Sequence, residues 1–426
     1  MSSHALTWDR RESSLWHVAG LLLRPLHLAL VFPSILYVAA MTVFLFRPPD
    51  LFSFYADRIA FVVLVFFVSL RAMALREKIP FTAGLSLPML GLTALAVVRA
   101  LREPFDPQIW SIVATKFIVP FTLFHIAVIV FRGAAQRLHF EIFVVLVLAY
   151  LVFIALAFLL EARSLIWPRF ILDESLGFHP DRARGPFLQA VANGVSLNLL
   201  GILAFVLPRS YRKLVWPLGI LLPLAVLATM TRAVWISFAL STFVIGFLFV
   251  ERRMQALCLL LIAAGILAGL AIGFSSHSLK KMLWERTEER GPVQARMAVY
   301  RGAWAMIQER PLSGWPAGRM YAELGRRMEG YHLRIFYVHN TYLALLVEFG
   351  IPGLALYAVL FYNLFRLSRH GPPAEPPSLA ALRKVWPLFL GVYLVNALFV
   401  DMAYQFVIGL LFTVAGILRA SEESSA

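Results

Sequence analysis

Long apolar runs recur along the 426-residue chain, separated by short polar joints. Twelve are read as membrane-crossing helices, over residues 28–46, 58–75, 79–98, 111–131, 141–160, 187–207, 215–230, 233–250, 254–274, 341–365, 385–400 and 403–419. Several reach the roughly 18–20 residues that a helix needs to cross hydrocarbon. The short alternating segments of a transmembrane barrel are not seen. The predicted fold class is an all-α polytopic membrane protein of about 12 transmembrane helices with one large outer loop containing short helices. Three regions follow: a nine-span part over 1–274, a polar loop over 275–340, and a three-span part with a short tail over 341–426.

The loop 275–340 is the one long polar excursion, with eleven Lys/Arg against six Asp/Glu. Within it, Gln294–Ile307 has Met297, Tyr300, Trp304 and Ile307 on one helical stripe. Such a helix lies along a membrane surface or packs on neighbouring protein. The turn-rich run from Pro311 to Gly318 follows and carries Arg319 at its end. Span ten opens at His339-Asn340-Thr341, with Asn340 or Thr341 as the N-cap. Free N–H groups at that helix start favour a nearby anion. Glu348 lies two turns deeper, where a carboxylate is costly unless paired. Gly350-Ile351-Pro352-Gly353 is expected to kink the helix.

Composition agrees with a membrane protein: 60% of residues are hydrophobic and the mean hydropathy is +0.76, against about 45–50% apolar for a soluble domain. The net charge of +15 would suggest nucleic acid in a soluble chain. Here the basic residues sit mostly between spans, so no nucleic-acid partner is expected. With the N-terminus inside, the inner joints carry seventeen Lys/Arg and the short outer ones eight, as the positive-inside rule asks. Both termini are therefore expected in the cytoplasm, and 161–186 and 275–340 outside. The lone Cys258 excludes an internal disulfide and a cysteine metal site. No signal-peptide pattern, Walker loop or dinucleotide fingerprint is present. The nearest carboxylate clusters, Asp173-Glu174 and Glu285 with Glu288 and Glu289, read as solubilising. Neither a metal nor a cofactor is expected.

Arg184, Arg232, Arg301, Arg319 and His339 fall on the outer face in this topology. Converging guanidinium groups suit a phosphate or pyrophosphate, whose oxygens they match in pairs. Arg182, Arg184 and Arg232 also fit plain interfacial snorkelling. Histidine has the acidity for a general base near neutral pH. In a membrane setting the phosphate is expected to belong to a lipid.

The run from Arg301 to Gly318, followed by His339-Asn-Thr-Tyr-Leu-Ala-Leu-Leu-Val-Glu-Phe-Gly-Ile-Pro-Gly353, resembles the O-antigen ligase/polymerase superfamily. Thr231-Arg232-Ala233-Val234-Trp235 and Arg184-Gly185-Pro186-Phe187 are similar to two further signatures of that family. The resemblance implies a glycosyltransferase C type bundle in the bacterial inner membrane, active on its periplasmic face without a metal. It implies an undecaprenyl-pyrophosphate-linked polysaccharide donor and, for a ligase, a sugar hydroxyl of lipid A-core as acceptor, with membrane lipids around both. It makes His339 the base and Arg184, Arg232, Arg301 and Arg319 the pyrophosphate binders of an inverting transfer. Asn340 and Glu348 are supporting residues, Glu348 orienting an arginine or His339. A ligase is expected ahead of a polymerase on the same donor. A protein O-oligosaccharyltransferase is disfavoured because the chain ends eight residues after Leu418. A lipid or polysaccharide transporter is a third reading, with Lys116 and His125 as its intramembrane candidates.

Overall fold

A computed structural model describes residues 32–46, 56–78, 80–207, 211–249, 291–328, 338–369, 371–372 and 375–423. These form thirteen helices: α1 Pro33–Leu45, α2 Ala56–Ala74, α3 Ala83–Leu101, α4 Pro107–Val130, α5 Ala134–Leu159, α6 Ala190–Val206, α7 Arg212–Leu227, α8 Arg232–Phe249, α9 Gly291–Glu309, α10 Ala317–Arg327, α11 Thr341–Arg366, α12 Pro377–Ala397 and α13 Gln405–Glu423. No strand occurs among the described residues. Seven helices (α3, α4, α5, α8, α11, α12 and α13) are long and apolar enough to cross a membrane, and α1, α6 and α7 are shorter apolar helices. Eleven of the twelve expected spans thus coincide with helices; the one at 254–274, and the acidic run near Glu285, lie outside the described residues.

The bundle is sealed by apolar faces and by polar side chains that find partners across helices. α13 packs along α4, burying Phe406, Val407, Leu410 and Leu411, and α11 packs along α3. Tyr37 of α1 and Thr413 of α13 share a hydrogen bond of 2.6 Å. Asn198 of α6 accepts from Ser241 of α8 at 2.7 Å, and Asn396 of α12 donates to Ser237 at 2.9 Å. Hydrocarbon offers a polar group no other partner, so such bonds fix which helices meet.

A second, smaller core joins α9, α10 and the start of α11 through Val299, Ala303, Met306, Trp315, Leu324, Val338 and Val347. It settles the orientation of α9. The helix packs on protein through Val299, Ala303 and Met306, while Met297 and Trp304 of the expected stripe point outward and are half exposed. The expected stripe is split: Ile307 is buried in this core and Tyr300 packs against it, while Met297 and Trp304 face away.

Candidate active site

The site is built on a broken helix. Asn340 caps α11, its Oδ1 accepting from the amides of Tyr342 and Leu343 at 2.9 and 3.0 Å. Those two amides are therefore spent on the cap and do not await an anion. At Gly350 the backbone leaves helical geometry (φ 68°, ψ −166°), dividing α11 into half-helices 341–349 and 351–366. The break is dictated locally. Pro352 has no N–H for the Glu348 carbonyl, and the amide of Ile351 donates instead to the Pro311 carbonyl at 2.8 Å.

The stranded carbonyls are taken up from outside. Trp315 donates its amide to Val347 at 2.7 Å. Arg99 of α3 donates to the carbonyls of Glu348 and Trp315, the latter at 2.9 Å. Only glycine fits where the two segments cross: Gly314 and Gly350 both have positive φ, and a Cβ on either would sit 2.6 Å from a carbonyl oxygen of the other segment. The motifs 311–315 and 348–353, which carried much of the family resemblance, are thus two halves of one joint.

His339 stands at the N-terminal mouth of this half-helix and is exposed. Protein packed around the ring, and then the Arg296 charge, hold its pKa below the ordinary value, while the Asp401 carboxylate acts the other way. The imidazole is therefore neutral near pH 7, the form that accepts a proton.

Asp401 reaches this neighbourhood through Thr341. The Thr341 hydroxyl donates to the Val400 carbonyl and accepts the Met402 amide, both at 3.0 Å, clipping the α12–α13 joint behind His339. Lys116 closes the pair, its Nζ 2.7 Å from Asp401 Oδ2. Lys116 sits in a single π-helical turn, Ala114–Ile118, inside α4; such turns recur at functional sites. Glu348 is buried and feels the charges of Lys116, Asp401 and Arg99. A cavity of about 30 Å³ in the crook of the broken helix has Lys116, Thr341, Tyr357, Tyr393 and Asp401 as its polar lining, room for about one water.

The expected arginines divide into two kinds. Arg184 is 1% exposed, and its guanidinium donates to the carbonyls of Ile171, Asp173 and Leu176. It organises the loop 161–186, which leaves no fork for a donor phosphate; this geometry favours a scaffolding role over the expected one. Arg232 at the start of α8, Arg301 on α9 and Arg319 on α10 are all exposed. Arg296, one and a half turns before Arg301, is the α9 arginine whose charge acts on His339. Arg310 and Arg327 lie over the Trp315 ring at 4.4 and 4.7 Å, Arg327 being consumed by Glu309 and Glu323. Among the described residues no three metal-ligating side chains gather.

Sequence reasoning missed Asp401, Arg99 and the part of Arg296, and placed Lys116 only in the transporter reading. One signal was present. A lone lysine in one span and a lone carboxylate in the joint between two others need each other in a membrane.

The class is now defined: an all-helical polytopic membrane protein with a histidine, a neutralised carboxylate and exposed arginines at one end of the bundle. Residues 217–358 match the family model described as O-antigen ligase. That stretch, about a third of the chain, is similar to the O-antigen ligase domain, as its motifs led us to expect, and the match indicates a glycosyltransferase of O-antigen ligase/polymerase type. No curated protein matches the chain.

Proposed function

We propose that the protein is an O-antigen ligase that moves polysaccharide from undecaprenyl pyrophosphate to a sugar hydroxyl of lipid A-core, on the periplasmic side of the inner membrane. His339 accepts the acceptor hydroxyl proton as that oxygen attacks the anomeric carbon. The bond to undecaprenyl pyrophosphate breaks, its electron pair leaves with the phosphate, and the configuration inverts. Arg232, Arg301 and Arg319 neutralise charge developing on the pyrophosphate, the role that usually contributes most to such a transfer. Asn340 fixes the helix that carries the base. Glu348 acts through the buried charges around it rather than on substrate. The donor is already activated, so the transfer draws on no nucleotide.

The observation that carries the reading is a neutral, solvent-facing His339 on a rigidly clipped helix start beside exposed arginines. The test is the lipopolysaccharide of a strain lacking the protein. Core without polymer, with lipid-linked polymer accumulating, is expected. Core bearing a single repeat would instead identify a polymerase.

A further inference from the structure

The carbonyl end of half-helix 341–349 is as carefully held as its start. That end carries the negative pole of the helix dipole, and its Val347 and Glu348 carbonyls lack their helical partners, because the Ile351 amide turns to Pro311 and Pro352 has no N–H. One side chain from another span meets it. Arg99, half-buried near the outer end of α3, uses one nitrogen to join the Glu348 carbonyl of the half-helix to the Trp315 carbonyl of the loop after α9. Its guanidinium also lies 5.5 Å from the centre of the Phe349 ring. The Trp315 amide closes the circuit on Val347.

We infer that Arg99 is a positioning residue of the transfer site: it locks the half-helix bearing His339 to the loop between α9 and α10, so that base and outer arginines keep one spacing. Arg99 touches no reacting group in this arrangement. It acts through the helix, whose nine residues from 341 to 349 form a lever about 12 Å long at 1.5 Å per residue. A small tilt at the Gly350 elbow displaces His339 at the other end. Misplacement by an ångström costs up to about 10²-fold in rate. The same lock keeps α10, with Arg319 two residues after the helix start, in fixed relation to the base. The inference rests on the transfer reading above.

The experiment uses the full chain in liposomes with lipid-linked donor and core acceptor, comparing wild type, Arg99→Ala, Arg99→Lys and His339→Ala. Donor binding, single-turnover rate and amide hydrogen exchange over 311–315 and 347–351 are measured for each. Arg99→Ala is expected to slow transfer by about 10–10²-fold, keep donor affinity, and exchange faster in both segments. Arg99→Lys should recover part of the rate, since an ammonium can still serve two carbonyls. Methylguanidinium added to folded Arg99→Ala should restore transfer where equal sodium chloride does not. A wild-type rate in Arg99→Ala, or donor affinity falling as far as the rate in both Arg99 variants, would overturn the inference. A wild-type chain that transfers nothing refutes the transfer reading and the role given to Arg99 with it, while faster exchange in the variant would still establish the lock as a structural element.

Discussion

The two ends of the bundle use charge in opposite ways. At the end away from His339, Arg383 of α12 is buried with Glu375 at 2.8 Å and Glu422 at 3.1 Å. It also donates to Ser421 and to the carbonyls of Leu367 and Leu418. Every donor is spent within the protein, and three helices are tied together. At the His339 end, the carboxylates are answered by Lys116 and Arg99, while His339, Arg296, Arg301 and Arg319 face solvent. A saturated arginine is part of the frame; an exposed one beside a held base is available to substrate. Arg184 shows that an arginine in a loop between spans can belong to the frame instead.

That contrast breaks first at the base. His339→Ala should lower single-turnover transfer by on the order of 10²–10⁴-fold and leave donor binding nearly intact. Arg232→Ala and Arg319→Ala should instead weaken donor binding and rate together, by about 1.5–3 kcal/mol for a lost bond to a charged group. Donor binding alongside transfer separates the two, and a His339 variant that loses donor affinity as the arginines do would move His339 among the binders.

The frame comes next. Arg383→Ala takes the guanidinium from two part-buried carboxylates, leaving Glu375 with Ser421 and Glu422 with Arg419, a loss below the ~3–5 kcal/mol of a fully buried broken pair. A lower unfolding midpoint with unchanged transfer per folded molecule is expected; a changed rate in the folded fraction would mean that this end also serves the site.

The smallest effect sharpens the picture at His339. Its rate–pH profile should fall on the acid side as pH drops through a pKa held below the ordinary histidine value. Arg296→Ala removes a nearby cation, which raises that pKa and moves the acid limb to higher pH. Asp401→Asn removes the opposing anion and leaves Lys116 unpaired, moving the limb to lower pH. Identical limbs in all three proteins would show that another group titrates.

Much of this is legible in the sequence. A span declares itself by twenty apolar residues, a cap by an asparagine before a helix, an elbow by Gly-Ile-Pro-Gly, and the structure has all three. What could not be read is partnership at a distance. Arg184 and Arg232 look alike in sequence, and only the carbonyls around Arg184 separate them. Asp401 lies 285 residues from the lysine that answers it. The apolar stripe of α9 is split, Ile307 joining Trp315 and Leu324 in the core and Trp304 facing away, a division that its own periodicity does not show.

The π-helical turn at Ala114–Ile118 bears on how this chain tolerates insertion and deletion. A wide turn holds one residue more than the ladder needs. Deleting one of the five would leave a continuous, well-bonded helix, with nothing in its hydropathy to betray the change. Because the wide turn takes up that residue within one turn, the two halves of α4 would keep their phase, but the side chains inside the turn would be redistributed, and Lys116, the one that answers Asp401, is among them. A related chain with a one-residue gap at 114–118 is the one in which loss of the lysine that answers Asp401 is expected.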